Sequence, residues 1–443
     1  MFENLIKSIT DENSDKMLEK ILTENYDKNL FVLVTAAQKF TLRAIIEASI
    51  RGETGKPLSR TYGSPNVQSP WKKIFLNPTQ LFKLPTKDTN TIKTDVVIGK
   101  NCGRPLNLKM PVIITGMSYG GSLSMKIKEA LAAAATNAGT ATNTGEAPLN
   151  DIERKAAARL IGQYNRYHKL MNPEELSKLD AIEIQLGQGA WGGAVPTQNT
   201  NINTDEQMRS IWNLDEGEVP KRESRFNNIN NSSDIVNLVN DLKNKYDIPV
   251  GIKIAGTHFI EKELDVVIKT NADFITIDGA EGGTAGAPPT LEDDLGLPTL
   301  YSISRADKYL TSHNVREKYD IIAAGGLKTP GDFLKAMALG ANAVYIGSIA
   351  VIAALQSQTT KVTPFETTSQ LFLYGADHAD DFNVEKGTAT LTNFLNSCNE
   401  EMKLALTAMG KQSITDLKLQ DLVAVDKQLA EALGIGYAGE PGY

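Results

Sequence analysis

Cysteine and histidine are scarce in this 443-residue chain, and the scarcity removes several chemistries at once. The two cysteines, Cys102 and Cys398, stand far apart, and there is no CxxC pair or other ligand cluster. A cysteine-ligated zinc or iron-sulfur centre needs three or four thiolates, or compensating histidines at suitable spacing, so neither is expected and no metal site is assigned. Long apolar runs are lacking too. The longest, LFVLVTAA at 30–37 and IAVIAAL at 349–355, fall far short of the roughly 20 residues that a membrane span requires. An excess of positive charge is also missing: the net charge of −7 offers no basic surface, and nucleic acid is not an expected partner. The acidic, mixed start MFENLIKSITDENSDK lacks a basic stretch followed by an apolar one, so no secretion signal is read and the cytoplasm is the expected compartment. What remains, 41% hydrophobic and 22% charged residues, is the composition of a soluble globular protein.

Residues 1 to about 50 carry apolar side chains at helical spacing, as in Leu5, Ile6 and Ile9 and again in Leu18, Ile21 and Leu22. From 51 to 110, Gly, Pro, Ser and Asn break that pattern (RGETGKPLSRTYGSP, FLNPTQLFKLPT), which suits an irregular segment laid over a larger body. Residues 1–110 are thus read as a helical and irregular N-terminal cap. At Pro111 short β-branched runs begin to alternate with helical stretches. The runs are VIITGMS (112–118), TATNT (140–144), AIEIQLGQ (181–188), VGIKIAG (250–256), FITID (274–278), IIAAGG (321–326) and AVYIGS (343–348). IERKAAARLIGQY (152–164) reads as helix, and an eighth strand is expected in the weak stretch 214–226. Eight alternating units over 111–356 make an α/β protein of the (β/α)8 TIM-barrel type. An open doubly wound sheet is the competing architecture, but the strand order and the glycines after the last strands favour closure. Residues 357–443 return to helix with one apolar face, an extension that packs on the barrel or on another subunit of a homo-oligomer.

In a parallel barrel, active sites form where strands end and loops begin. The ends read here are Thr115–Ser118, Asn143–Glu146, Gln185–Gln188, Lys253, Asp278–Thr284, Gly325–Gly326 and Gly347–Ser348. The loop after 274–278 holds four glycines between Gly279 and Gly286, and its side-chain chemistry comes from Asp278, Glu281 and Thr284. Such a loop either binds an anion or the edge of a planar cofactor, or is a glycine-rich turn. Gly325-Gly326 present no side chain to block close approach, and Gly347-Ser348 open an apolar helix whose first amides favour an anion. A phosphate site is the functional reading, and two ordinary strand-to-helix turns are the alternative. Lys253, inside an apolar run, needs an anionic partner or must shed its proton. It can stabilise charge at the N1–C2=O edge of a reduced flavin, form a Schiff base, or serve a structural ion pair. Glu146, in TNTGEAP, is a candidate proton carrier or a helix N-terminal charge.

Taken together and in order, PVIITGMSYGGSLS, ATNTGE, IEIQLGQGA, VGIKIAG, ITIDGAEGGTAGAP and AAGGLKTPGDFLKAMALGANAVYIGS resemble the FMN-binding synthase domain of glutamate synthase, and in particular its short, stand-alone members. The resemblance implies a barrel holding FMN, with 2-oxoglutarate on the flavin face and ammonia entering to form 2-iminoglutarate, which is then reduced to glutamate. It implies that Met117, Ser118, Gln185, Asp278, Glu281, Gly282, Gly283 and Thr284 surround the flavin. Lys253 would face its edge, and Gly325, Gly326, Gly347 and Ser348 would take its phosphate. Glu146 would stand where ammonia meets the keto acid, with Gln188, Trp191 and Arg209 holding substrate.

Three departures qualify the resemblance. The sequence opens on Met-Phe and not on the catalytic cysteine of a glutaminase domain, so no such domain is expected. The stretch SQTTKVTPFETTSQ has no cysteine where large members carry three for an iron-sulfur cluster, so an electron-donor protein or reductase is an expected partner. The family's Gln-Gly-Ala-Lys-Pro-Gly reads Gln188-Gly189-Ala190-Trp191-Gly192-Gly193, an indole in place of a cation. The leading expectation is an FMN-dependent reductive amination of a 2-oxo acid. Its rivals are an FMN barrel acting on a different small carboxylate or amine, and a flavoprotein that only passes electrons. No histidine follows a late strand, which disfavours a 2-hydroxy-acid oxidase.

Overall fold

The structure is a computed structural model that describes the chain apart from residues 1, 26–27, 30, 67, 165, 167–171, 190–203, 219, 221–222, 285 and 443 and the side chains of 2–10 and 33. Two compact units result, Met1–Ser59 and Arg60–Tyr443. The first consists of helices Phe2–Thr23, Phe31–Phe40 and Leu42–Thr54, in line with the helical spacing of its sequence. The last of these is bounded by Thr41, whose hydroxyl accepts from the Ala44 amide, and by Gly55, whose φ of 60° suits a residue without Cβ.

The second unit is built on eight parallel strands. They are β1 (Val112–Ile114), β2 (Thr142–Asn143), β3 (Leu160–Tyr164), β4 (Ala181–Gln185), β5 (Val250–Ala255), β6 (Phe274–Asp278), β7 (Asp320–Ala324) and β8 (Ala343–Ile346). Their order is β1-β8-β7-β6-β5-β4-β3-β2, so each strand lies beside its sequence neighbour and β8 returns to β1. Between β1 and β2 the closure is sparse. Lys109 N–H donates to Gly139 O (2.9 Å), Ile114 N–H to Ala141 O (3.0 Å), and the Thr140 hydroxyl to Val112 O (2.6 Å). This is the (β/α)8 barrel that the alternation of runs predicts.

The eighth strand is not where the sequence suggests. It is β3, Leu160–Tyr164, and no strand occurs among the described residues of 214–226. The helix that opens this region spans only Asp151–Ala156, because Ala157 turns to extended backbone (φ −90°, ψ 116°). Gly162 then lets Leu179 pack against β3, since a Cβ at 162 would lie 2.1 Å from Leu179 Cδ1.

Both ends of the barrel are covered. At the N-terminal end of the strands, the hairpin joining Val96–Ile98 to Leu106–Leu108 is pinned by Gly99 N–H to Asp320 Oδ2 and Gly103 N–H to Asp247 Oδ1, each 2.8 Å. At the C-terminal mouth, residues 60–66 and 68–69 cross the loop after β6. Arg60 reaches Asp293 Oδ1 (2.8 Å), the Ser69 amide donates to Glu281 Oε1 (2.5 Å), and Gly63 and Gly283 meet backbone to backbone. Ile74–Leu76 continues this segment and pairs antiparallel with Leu422–Ala424, while the long helix Val384–Ala408 packs on helix Met125–Ala138. No helix among the described residues is long and apolar enough to cross a membrane.

Candidate active site

The interior beneath the mouth is polar. Glu183 of β4 is fully buried, and side chains from four other strands donate to it. Asn143 Nδ2 (3.0 Å) and Gln163 Nε2 (2.9 Å) reach Oε1, while Thr276 Oγ1 (2.7 Å) and the Tyr345 hydroxyl (3.0 Å) reach Oε2. Burial and the neighbouring Glu183 push the Tyr345 phenol well above its ordinary range, so it is a donor. Two residues further along β4, Gln185 faces the same interior and pairs in register with Lys253. Lys253 Nζ lies 3.0 Å from Asp278 Oδ2, with both side chains buried. Burial works against the ammonium, but the carboxylates of Asp278, Glu183 and Glu146 more than offset it, and the Lys253 pKa lies above its ordinary value. Schiff-base chemistry needs the neutral amine, so this environment favours the cationic readings of Lys253.

The loop after β2 is held from both sides. From inside, Asn143 Oδ1 accepts from the Gly145 amide at 2.8 Å while its amide nitrogen holds Glu183. From outside, Lys128 Nζ donates to Asn143 O (2.9 Å) and pairs with Glu153 at 2.7 Å, both side chains 1% exposed. Burial pushes the Glu153 carboxyl above its usual range against the pull of Lys128. Gly145, at φ 68°, packs on the backbone of Met117 and Ser118, where a Cβ would lie 2.6 Å from the Ser118 amide. Glu146 follows at once, nearly buried, with a guanidinium nitrogen of Arg166 at 3.7 Å. Arg166 is itself anchored by donation to Ser224 O at 2.7 Å.

The glycine-rich loop has a structural load of its own. Both oxygens of Glu281 are taken by protein donors, Oε1 by the Ser69 amide and Oε2 by the amide and hydroxyl of Thr299, which begins helix Thr299–Ser312. Gly325 and Gly326 sit at φ 110° and 70°, against Thr299 and Glu281 respectively. A Cβ at Gly347, which caps helix Ser348–Leu355, would find only Thr115 Cγ2, at 3.1 Å, and Ser348 is exposed. At the opposite side of the mouth, Gln185 Nε2 donates to Gln188 Oε1 (3.1 Å), but the buried Gln185 Oε1 has no hydrogen-bond partner.

A family model for the conserved region in glutamate synthase matches residues 68–412. The chain belongs to that family. Among its relatives, a glutamate synthase large subunit-like protein of Rhizobium meliloti is 30% identical over 375 residues, 79% of this chain and 83% of the relative. An archaeal-type glutamate synthase (NADPH) of Dehalococcoides mccartyi is 28% identical over 399 residues, 84% of this chain and 78% of the relative. Among solved structures, (S)-mandelate dehydrogenase, a monotopic membrane protein, superposes with a TM-score of 0.51 at 15% identity, over 80% of this chain and 88% of that one. A double variant of flavocytochrome b2 with sulfite bound gives 0.50 at 12% identity, over 80% and 76%. At such identities the likeness is one of fold.

Within this glutamate synthase family barrel, strand ends bring Met117, Ser118, Glu146, Gln185, Gln188, Lys253, Asp278 and the glycine pairs to one mouth. Arg209 donates one guanidinium N–H to Asp215 O at 2.8 Å, in its own helix-turn. Trp191 lies outside the described residues. Thr284 and Gly283 belong to the rim, next to the crossing segment. Two residues were missed by the sequence reading, Glu183 and Arg166. Glu183 carries the same signal as Lys253, a charge flanked by apolar strand residues, whereas Arg166 sits just past the strand Leu160–Tyr164, whose sequence reads as helix. Among the described residues no group of three or more His, Cys, Asp or Glu side chains could hold a metal ion.

Proposed function

We propose that the chain is an FMN-dependent oxidoreductase that aminates a 2-oxo acid reductively, with 2-oxoglutarate and ammonia giving glutamate. The observation that carries this reading is the pairing of two charged sets at one barrel mouth, Lys253–Asp278 on one side and Glu146–Arg166 on the other. The residues suit FMN. The lone acceptor Gln185 Oε1 matches the N–H donor on a flavin ring edge, the retained proton of Lys253 suits the N1–C2=O edge, and the exposed Ser348 in the first turn of helix Ser348–Leu355 suits a phosphate. When bound, FMN supplies hydride chemistry.

In this reading Gln188 orients the keto acid by hydrogen bonding, and Glu146 handles the protons. Ammonia adds to the keto carbon, water leaves to give the imine, and a hydride at carbon with a proton at nitrogen completes the amino acid. Glu146 stands to accept the proton released by ammonia and to return one to the leaving hydroxyl. The second reading, a different small carboxylate, keeps its ground in the indole at position 191. With so few cysteines, electrons are expected to reach FMN without an iron-sulfur cluster, from a diffusible donor or a docked reductase. NADPH, printed in the names of several relatives, is the first donor to try.

Purified protein should be yellow and hold one FMN per chain. Reduced anaerobically, it should be reoxidised by 2-oxoglutarate plus ammonium with formation of glutamate. Absence of flavin even after added FMN would sink the whole reading. Reoxidation by a monocarboxylate keto acid but not by 2-oxoglutarate would move the substrate to the second reading.

A further inference from the structure

A carboxylate inside a barrel is out of place, because that space is usually filled by branched apolar side chains and an isolated buried anion is costly. Glu183 is such a carboxylate, fully buried one side-chain layer below Gln185, and so below the level of Lys253. Its hydrogen bonding alone does not demand a charge. An amide of the same shape would still accept from Asn143 and Gln163, and the hydroxyls of Thr276 and Tyr345, which now donate, can turn and accept. What glutamate adds over glutamine is the negative charge. Around Lys253 that charge counts twice over, since Asp278 at 3.0 Å already supplies one counter-ion and Glu146 has the Arg166 guanidinium beside it. The Lys253 surroundings therefore hold two anions, Asp278 and Glu183, against one cation.

We propose that Glu183 is a positioning and charge-tuning residue, a buried anion beneath the barrel mouth that opposes the positive charge of Lys253 and so holds down the reduction potential of the flavin above it. The inference rests on the FMN reading. Its sense is chemical: an anionic reduced flavin is less favoured over a net-negative floor, and a less stable reduced form is the stronger hydride donor toward an imine. Glu183 touches no reacting atom in this scheme. It acts through Lys253, and through Asn143, which links it to the Gly145 turn ahead of Glu146.

The test compares the potential of bound FMN in the parent, Glu183→Gln and Thr276→Val, by anaerobic dye-coupled reduction. E183Q should move the two-electron equilibrium tenfold or more toward reduced flavin, an upward shift of about 30 mV for each tenfold. T276V removes one hydrogen bond but keeps the charge, and should not raise the potential. An unchanged potential in folded, FMN-loaded E183Q overturns the proposal, as does an equal rise in both variants. So does an E183Q protein that cannot fold or hold FMN where T276V can, because the carboxylate at 183 would then be a requirement of the fold and not a tuner of the flavin. A parent that binds no FMN is a different failure, one that removes the flavin reading and takes this inference with it.

Discussion

Lys253 and Asp278 show how a buried pair ties stability to chemistry at the residue scale. Replacing the lysine by methionine strands a carboxylate that is 9% exposed, and breaking a buried pair in this way costs about 3–5 kcal/mol. Urea denaturation of Lys253→Met should show that loss, and a difference below about 1 kcal/mol would mean that the pair is solvated. The pH dependence has a definite sign. Because the folded pKa of Lys253 lies above its unfolded value, its contribution is complete below about pH 10.4 and fades only as pH rises through the folded value. Glu146→Gln should keep FMN and lose about 100-fold or more in turnover, whereas activity within about twofold of the parent would leave Glu146 a structural charge. For the phosphate cradle, Gly326 is a poor probe, since φ 70° and contact with Glu281 strain any side chain there. Ser348→Glu is cleaner. An acidic residue in the first turn of a helix favours the helix by about 0.3–1 kcal/mol but repels a phosphate, so the melting temperature should hold or rise while FMN affinity falls tenfold or more. A fall in both would point to simple misfolding.

At the scale of elements, strands were legible wherever β-branched residues cluster, as in FITID and AVYI. The strand β3 was not, and its residues say why. LIGQY follows ERKAAAR without a break, so helical periodicity runs straight through it, and Gly162 removes the β-branched signal at its centre. The glycine is there for Leu179, just as Gly251 in β5 makes room for Phe274, whose ring would lie 2.3 Å from an added Cβ. Neither contact can be read before the fold is known. Gly162→Val should thus destabilise the protein by about 1–3 kcal/mol through overpacking, despite valine's preference for strands. A thermal melt at or above the parent would show that Leu179 simply moves aside. The site followed the same rule. Residues at strand ends are legible from position alone, while Arg166 is hidden by the helical periodicity that masks the strand before it, and Glu183 because it lies mid-strand in AIEIQ and not at a strand end.

Over the whole second unit, the segments flanking the barrel are tied together, since Ser69 holds the loop after β6 and Ile74–Leu76 pairs with Leu422–Ala424. The barrel they surround is unevenly sewn. Seven of its strand junctions are regular ladders, but β1 and β2 are joined by the two backbone bonds and one hydroxyl bond described above. Beyond that seam, β1 runs into Met117–Ser118 and β2 into Gly145–Glu146. A local opening there therefore separates the expected flavin loop from the expected proton carrier and leaves the other junctions intact. Deuterium uptake should be faster at the Ile114 amide than at Ile252 or Ile277 on the far side of the barrel, and equal protection would mean the seam is as strong as any ladder. Faster exchange at Ile114 would make this side of the mouth the place where the barrel first loosens, so that the two loops expected to meet at the flavin would part before any other pair.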